Sequence, residues 1–245
     1  MQILGIDFGG TGIKGAIVDT QKGELVSDRL RLPTPEKSKP KDVADVINKL
    51  VISFQWKTRI GLGFPAIIKR GVACNAANIS KKWIDLNVEA LLHERTGCEV
   101  FVINDADAAG YAEMTFGAGR EFRKGIVLMV TLGTGIGSAI FVNGQLLPNT
   151  EFGHIQIRGE DAEHRASDVI RQEKKLSWKS WSKRFQEFLE QMEMLINPDV
   201  IIIGGGASKY YQEFFCYLDT GAKLLPAHFF NQAGIIGAAM FASQQ

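Results

Sequence analysis

At 245 residues, with 45% hydrophobic and 22% charged side chains, the chain has the composition of an ordinary globular protein and room for two modest lobes, each with a core. A formal net charge of +1 argues against nucleic-acid binding by bulk positive charge, leaving room only for a local basic groove. Cys74, Cys98 and Cys216 are isolated and odd in number, which argues against a disulfide framework and against a cysteine-built zinc site. No apolar stretch approaches the length of a membrane span, and Met1 leads into a strand-like run without a signal-peptide pattern, so the expectation is a cytoplasmic protein.

Ile3 to Ile6 is a short apolar run that stops at Asp7 and a Gly9-Gly10-Thr11-Gly12 turn. Ile13 to Val18 follows as a second run, Thr20 to Gly23 turns the chain again, and Glu24 to Leu32 alternates as a third strand. Strands joined so tightly form an antiparallel meander, because parallel neighbours need a long crossover. Beyond Pro33 and Pro35, Lys41 to Phe54 reads as an amphipathic helix with Val43, Val46, Ile47, Leu50, Val51 and Phe54 on one face. A strand at Ile60 to Phe64, a helix at Val88 to Thr96, a strand at Val100 to Ile103 and a small-residue helix at Ala106 to Met114 complete a βββαβαβα half.

The second half repeats the plan. Ile126 to Leu132 is a strand, Gly133 to Gly137 a turn, and Ser138 to Val142 a strand that turns again at Asn143-Gly144. A long helical region from Ala166 to Ile196 breaks near Leu176. A buried strand at Val200 to Ile203, a glycine triplet, a helix around Tyr210 to Tyr217, a short strand near Leu224 and a terminal helix from Ala233 follow. Gly-Thr-Gly-Ile occurs at Gly10 and again at Gly133, an offset of 123 residues (133 minus 10), each time between apolar strands. An internal duplication is the simplest account. Two such halves resemble the actin-like or ribonuclease-H-like α/β kinase fold, with lobes at 1–118 and 119–245 around a cleft. The alternative is one doubly wound α/β domain with incidental glycine turns.

Several constellations carry chemistry. In the run from Asp7 to Lys14, the glycines let the backbone approach a phosphate and aim N–H groups at it, while Thr11 adds a hydroxyl and Lys14 a positive charge. Asp7 is placed to hold magnesium through its water shell. The spacing is not that of a Walker A loop. Thr131, Gly133, Thr134 and Gly135 form the partner loop; for either loop the alternative is a hairpin needing glycine only for its dihedrals. Asn104-Asp105 ends a strand ahead of a small-residue helix, where a carboxylate can take a hydroxyl proton during phosphoryl transfer. The competing reading makes the Asp a helix cap, and Asp107 competes with Asp105 for either role. Glu151 and His154, separated by a Gly-containing turn, can both bond sugar hydroxyls, and a metal role would need more ligands than the neighbourhood offers. Gly204, Gly205 and Gly206 follow a buried strand, an arrangement that suits a nucleotide or polyanion resting on a helix N-terminus, or simply a tight turn.

Together these residues resemble the ROK family of sugar kinases. Residues 77–83, 104–113, 147–154, 159–167, 176–181 and 231–239 extend the resemblance to the branch that takes polyphosphate as donor. It implies transfer to the 6-hydroxyl of glucose from polyphosphate, and also ATP, with magnesium. Asp105 is then the base, Asn78, Asn104, Glu151 and His154 hold the sugar, and the two loops hold the donor. Many ROK proteins carry a cysteine-rich zinc motif after the Glu-x-Gly-His segment; residues 155–171 hold no cysteine, so no zinc is expected. Glu163 is the candidate to replace the glutamate that follows that motif at the sugar. A homodimer is implied as well.

A long polyanion also needs a basic path. Lys81, Lys82, Arg158, Arg165, Arg171, Lys174 and Lys175 lie near the matched segments, although a solvated charged face is the default reading of such a cluster. The rival readings are a strictly ATP-dependent enzyme of the same family, a non-catalytic sugar sensor and an actin-like assembly protein. The sensor would carry a DNA-binding segment ahead of the first loop, and the assembly protein would have no need of the Asn104-Asp105 and Glu151-His154 pairs.

Overall fold

The first hairpin is set by alternation. In β1 (Gln2–Phe8), Leu4, Ile6 and Phe8 enter one core while Gly5 and Asp7 face the other way, and β2 (Gly12–Asp19) pairs with it antiparallel from Gln2↔Asp19 to Phe8↔Ile13. The expected third strand is two pieces, β3 (Glu24–Leu25) and β4 (Leu30–Pro33), both paired with β2. Between them the Ser27 hydroxyl accepts the Ile17 amide at 2.9 Å, taking the place of a backbone carbonyl and breaking the ladder. Next come α1 (Pro40–Ser53), β5 (Arg59–Phe64), a small hairpin β6 (Ile68–Lys69) and β7 (Val72–Ala73), α2 (Val88–Thr96), β8 (Glu99–Asn104) and α3 (Asp105–Phe116). The sheet order is β3-β2-β1-β5-β8, with β5 and β8 parallel to β1. The α1 residues Val43, Ile47 and Leu50 and the α2 residues Val88 and Leu92 close its core.

The second sheet repeats this order. β9 (Ile126–Leu132), β10 (Ile136–Val142) and β11 (Gln145–Leu147) form the meander. After the hairpin β12 (Gln156–Ile157) and β13 (Glu160–Asp161) come α4 (Ala162–Ala166), α5 (Asp168–Glu173) and α6 (Trp178–Ile196). β14 (Val200–Gly205), the short α7 (Tyr211–Phe214), β15 (Lys223–Pro226) and α8 (Ala233–Ala242) finish the chain. The order β11-β10-β9-β14-β15 matches the five-strand path of the first sheet, with no counterpart of β4. Trp181, Phe185, Phe188 and Met192 of α6 pack on Leu128, Val130, Ile201 and Ile203. The repeated tetrapeptide marks equivalent turns, with residues 9–12 between Phe8↔Ile13 and residues 133–135 between Leu132↔Ile136.

This computed structural model describes residues 1–245, and the chain divides into Met1–Ala112 with Gln232–Gln245, and Glu113–Asn231. The expected boundary at 118/119 is therefore corrected. The division falls inside α3, between Ala112 and Glu113, and α8 belongs with the first sheet rather than the second. Packing explains the return, because Gly5 and Gly61 let α8 lie directly on β1 and β5, where a Cβ at either would overlap the carbonyls of Ile235 or Ala238. In the second unit the buried Glu113 ties the end of α3 to the chain after β15. Its Oε2 accepts from the amides of Ala118 (2.9 Å) and His228 (3.0 Å), and its Oε1 from Phe229 (2.8 Å). No helix is long and apolar enough to cross a membrane.

Candidate active site

The first unit carries the first glycine loop. Gly9 and Gly12 exchange backbone hydrogen bonds (3.2 and 3.3 Å), so Gly10 and Thr11 project as an exposed tip. Two residues that sequence reasoning missed brace the loop from β4 and just beyond it. Arg31 Nη2 donates to the Thr11 carbonyl (2.7 Å), and the Thr34 hydroxyl donates to the Gly9 carbonyl (2.6 Å). Asp7 and Lys14 are register partners in β1 and β2, and Lys14 Nζ lies 3.0 Å from Asp7 Oδ2. A Cβ at Gly234, in the first turn of α8, would lie 3.1 Å from Asp7 Oδ1, so the glycine leaves room for the carboxylate at the positive end of that helix.

Asn104 and Asp105 stand at the head of α3. Asn104, 4% exposed, is the cap: its Oδ1 accepts the amides of Ala106 (2.9 Å) and Asp107 (3.1 Å), and its Nδ2 donates to the Ala66 carbonyl (3.2 Å). One Nδ2 proton is left for a ligand. Asp105 Oδ1 also accepts the Ala106 amide (2.9 Å), but the residue is half-exposed, whereas Asp107 is 1% exposed. Of the two candidate bases, only Asp105 can meet a substrate without rearrangement. Asn78 is exposed on a segment pinned by Trp83, whose Nε1 donates to the Ser38 carbonyl (2.8 Å) and whose ring lies edge-on to Phe64. Lys81 of that segment is turned onto the Ala76 carbonyl (2.5 Å).

In the second unit the Gly133 amide donates to the Gly135 carbonyl (3.1 Å), leaving Thr134 exposed at the tip and Thr131 half-buried on the strand below it. The buried Ser138 hydroxyl fastens the next segment, donating to the Thr150 carbonyl and accepting the Phe152 amide (3.0 Å). Gly153 is obligatory there, because a Cβ would overlap the Ile136 carbonyl. Glu151, His154 and Glu163 come together. Glu163 Oε1 is 3.9 Å from His154 Nδ1, and its Oε2 accepts the Ile136 amide (3.3 Å) at the end of the glycine loop. A fourth member, Asp161, was not singled out from sequence; its Oδ2 accepts from His154 Nδ1 at 2.9 Å across the β12–β13 hairpin, and its Oδ1 meets Gln156.

The electrostatics follow from these contacts. Burial pushes the Glu151 carboxyl up; His154 opposes the shift and Glu163 adds to it. Burial works against charge on His154, but the Asp161 hydrogen bond and the fields of Glu163, Glu151 and Asp161 outweigh it and raise the imidazole above its ordinary value. The His154 hydrogen bond in turn lowers Asp161.

Two expectations change. The Gly204–Gly206 triplet is not followed by a regular α-helix: Ala207–Tyr210 is a 3-10 turn, and α7 spans only Tyr211–Phe214. The first two glycines instead serve close packing, Gly204 against the Met129 side chain and Gly205, at φ +77°, against Leu132. The basic-path candidates also thin out, because Arg158 and Arg165 pair with Glu187, Arg165 also with Glu160, and Arg171 with Asp168.

Two sheets of the same order, each opening on a glycine hairpin, define the actin-like ATPase fold. The model of the ROK family matches residues 3–173, and the chain belongs to that family. It is 42% identical over 238 residues to the polyphosphate glucokinase of Mycobacterium tuberculosis, covering 97% of this chain and 89% of that protein. The polyphosphate glucokinase of Mycobacterium leprae is 41% identical, over 97% of this chain and 73% of that protein. Among solved structures, the inorganic polyphosphate/ATP-glucomannokinase of Arthrobacter sp. strain KM matches with a TM-score of 0.97 and 45% identity, covering 100% of this chain and 99% of that one.

Proposed function

We propose that this chain is a glucokinase that transfers the terminal phosphoryl group of inorganic polyphosphate to the 6-hydroxyl of glucose, with ATP as a second donor. The observation that carries the reaction is the pair of carboxylates at the head of α3, of which Asp105 is accessible and Asp107 buried. The donor rests on the full-length similarity to polyphosphate glucokinases, and ATP on the likeness to the polyphosphate/ATP-glucomannokinase.

In this reading Asn78 and Asn104, with Glu151, His154 and Glu163, hold the sugar hydroxyls. Asp105 accepts the proton of the 6-hydroxyl as its oxygen bonds to the terminal phosphorus. The bridging P–O bond breaks, and the shortened polyphosphate leaves with the electron pair. The backbone amides of the two glycine loops and Lys14 stabilise the charge on the donor phosphates. A magnesium ion fits the residues present. Asp7 is a single strand-end carboxylate beside the loop, with Lys14 Nζ 3.0 Å from its Oδ2. That suits an ion that keeps its waters and takes other ligands from the donor. When bound, magnesium neutralises charge on the donor phosphates. The reading includes a homodimer, as the family resemblance implies.

The test is glucose phosphorylation with long-chain polyphosphate and with ATP at matched phosphoanhydride concentration. Glucose 6-phosphate formed from polyphosphate is expected; activity with ATP alone contradicts the donor assignment.

A further inference from the structure

The second glycine loop is tied to a lysine-rich junction. The Val169 amide at the start of α5 donates to the Gly133 carbonyl at 3.2 Å, so α5 begins against the loop. Its six residues rise about 9 Å. The chain then turns through Lys174 and Lys175, whose amides donate to Ile170 (3.0 Å) and Gln172 (3.1 Å), with Lys175 at φ +50° and the Leu176 amide on the Arg171 carbonyl (2.9 Å). α6 follows with its N-cap at Ser177 and carries Lys179 and Lys183 one turn apart on its exposed face.

The junction is rigid. Trp178 stacks on Phe214 with centroids 5.4 Å apart and lies edge-on to Trp181, and the Arg171 guanidinium sits 3.8 Å above the Trp178 ring. Charge is distributed unevenly around it. Arg158, Arg165 and Arg171 are in ion pairs with local carboxylates, while Lys174, Lys175, Lys179 and Lys183 are exposed and none of them is in an ion pair.

We propose that Lys174, Lys175, Lys179 and Lys183 form a subsite for the inorganic polyphosphate chain beyond the phosphates gripped at the second glycine loop. The proposal rests on the polyphosphate reading above and deepens it. A linear polyphosphate offers evenly repeated negative charge along a flexible chain, and unpaired ammonium point charges on flexible stems can follow it. Binding of this kind is driven by counterion release and grows with the number of phosphates neutralised. Because α5 separates the lysines from the loop, a short donor ends before it reaches them. The subsite therefore reads donor length.

The experiment compares wild type with the K174E/K175E/K179E variant, using long-chain polyphosphate, tripolyphosphate and ATP as donors. The KM for long-chain polyphosphate should rise about tenfold or more, and the log–log salt dependence of that KM should become shallower by roughly two. Kinetics with tripolyphosphate and ATP, and the KM for glucose, should not change. An unchanged KM for the long chain, or an equal rise for all three donors, overturns the proposal. Direct binding of fluorescently labelled long-chain polyphosphate to both proteins decides the subsite independently of turnover. Loss of binding in the variant supports it, and retained binding overturns it; a wild type that binds the polymer but phosphorylates nothing with it overturns the donor reading alone.

Discussion

His154 Nδ1 lies 2.9 Å from Asp161 Oδ2, and this one hydrogen bond fixes how the imidazole meets a ligand. A neutral ring held this way keeps its proton on Nδ1 and presents Nε2 as an acceptor. In the proposed reading, in which His154 binds the sugar, Asp161 is thus a positioning residue for that histidine. Asp161→Ala should raise the KM for glucose about tenfold, the loss expected when an orienting partner is removed, while the KM for the donor stays put. Asp161→Asn, which keeps an acceptor oxygen, should recover part of the loss. Steady-state kinetics with each substrate varied in turn provide the check, and equal effects on both KM values would argue for a merely structural role.

The same pair sets a pH dependence of stability. The His154 pKa is raised above its ordinary 6.5 in the fold, so its stabilising contribution is fully present below that value and is lost as pH rises through the raised one. Asp161 is lowered from 3.8, so its contribution is present above that value and is lost as pH falls through the lowered one. Glu151 is raised from 4.5, so its ionisation costs stability as pH climbs from there through the raised value. Thermal midpoints measured between about pH 6 and 9 should decline more steeply for wild type than for His154→Gln. Parallel curves would remove His154 as the cause.

Glu113 is buried with three backbone amides on one carboxylate. Glu113→Ala leaves all three donors without that acceptor and should cost about 3 kcal/mol or more. Glu113→Gln keeps one acceptor oxygen and should cost less. Midpoints of denaturant unfolding at unchanged slope measure both.

Gly61 lies where the backbone of α8 crosses β5, and a Cβ there would overlap the Ala238 carbonyl. Gly61→Ala should destabilise by about 1–3 kcal/mol through overpacking. Gly133→Ala, in open space on the second loop, meets no such neighbour and should leave the unfolding midpoint nearly unchanged.

Much of the fold was legible because its signals are local. Short apolar runs end at glycine turns, and the duplicated Gly-Thr-Gly-Ile falls at equivalent hairpins of two sheets. Asn104-Asp105 stood out as a polar pair closing a buried strand, although only the folded chain shows that Asn104 is the cap and Asp107 is buried. Long-range effects were hidden. α8 is built of small and apolar residues buried on most sides, so it has no polar face to reveal that it returns to the first sheet. Asp161 was hidden because the link to His154 closes through a hairpin, whose Arg158-Gly159 turn was the one available clue. Arg31 lies in β4, which read as one strand with β3 because alternation continues past the Ser27 break.

If Asp105 is the base for the sugar hydroxyl, Asp105→Asn removes the group that takes the proton. With glucose and polyphosphate, kcat should fall at least a hundredfold, the lower end for a general base, while calorimetric glucose affinity stays within about threefold of wild type. Turnover near the wild-type rate would rule Asp105 out as the base.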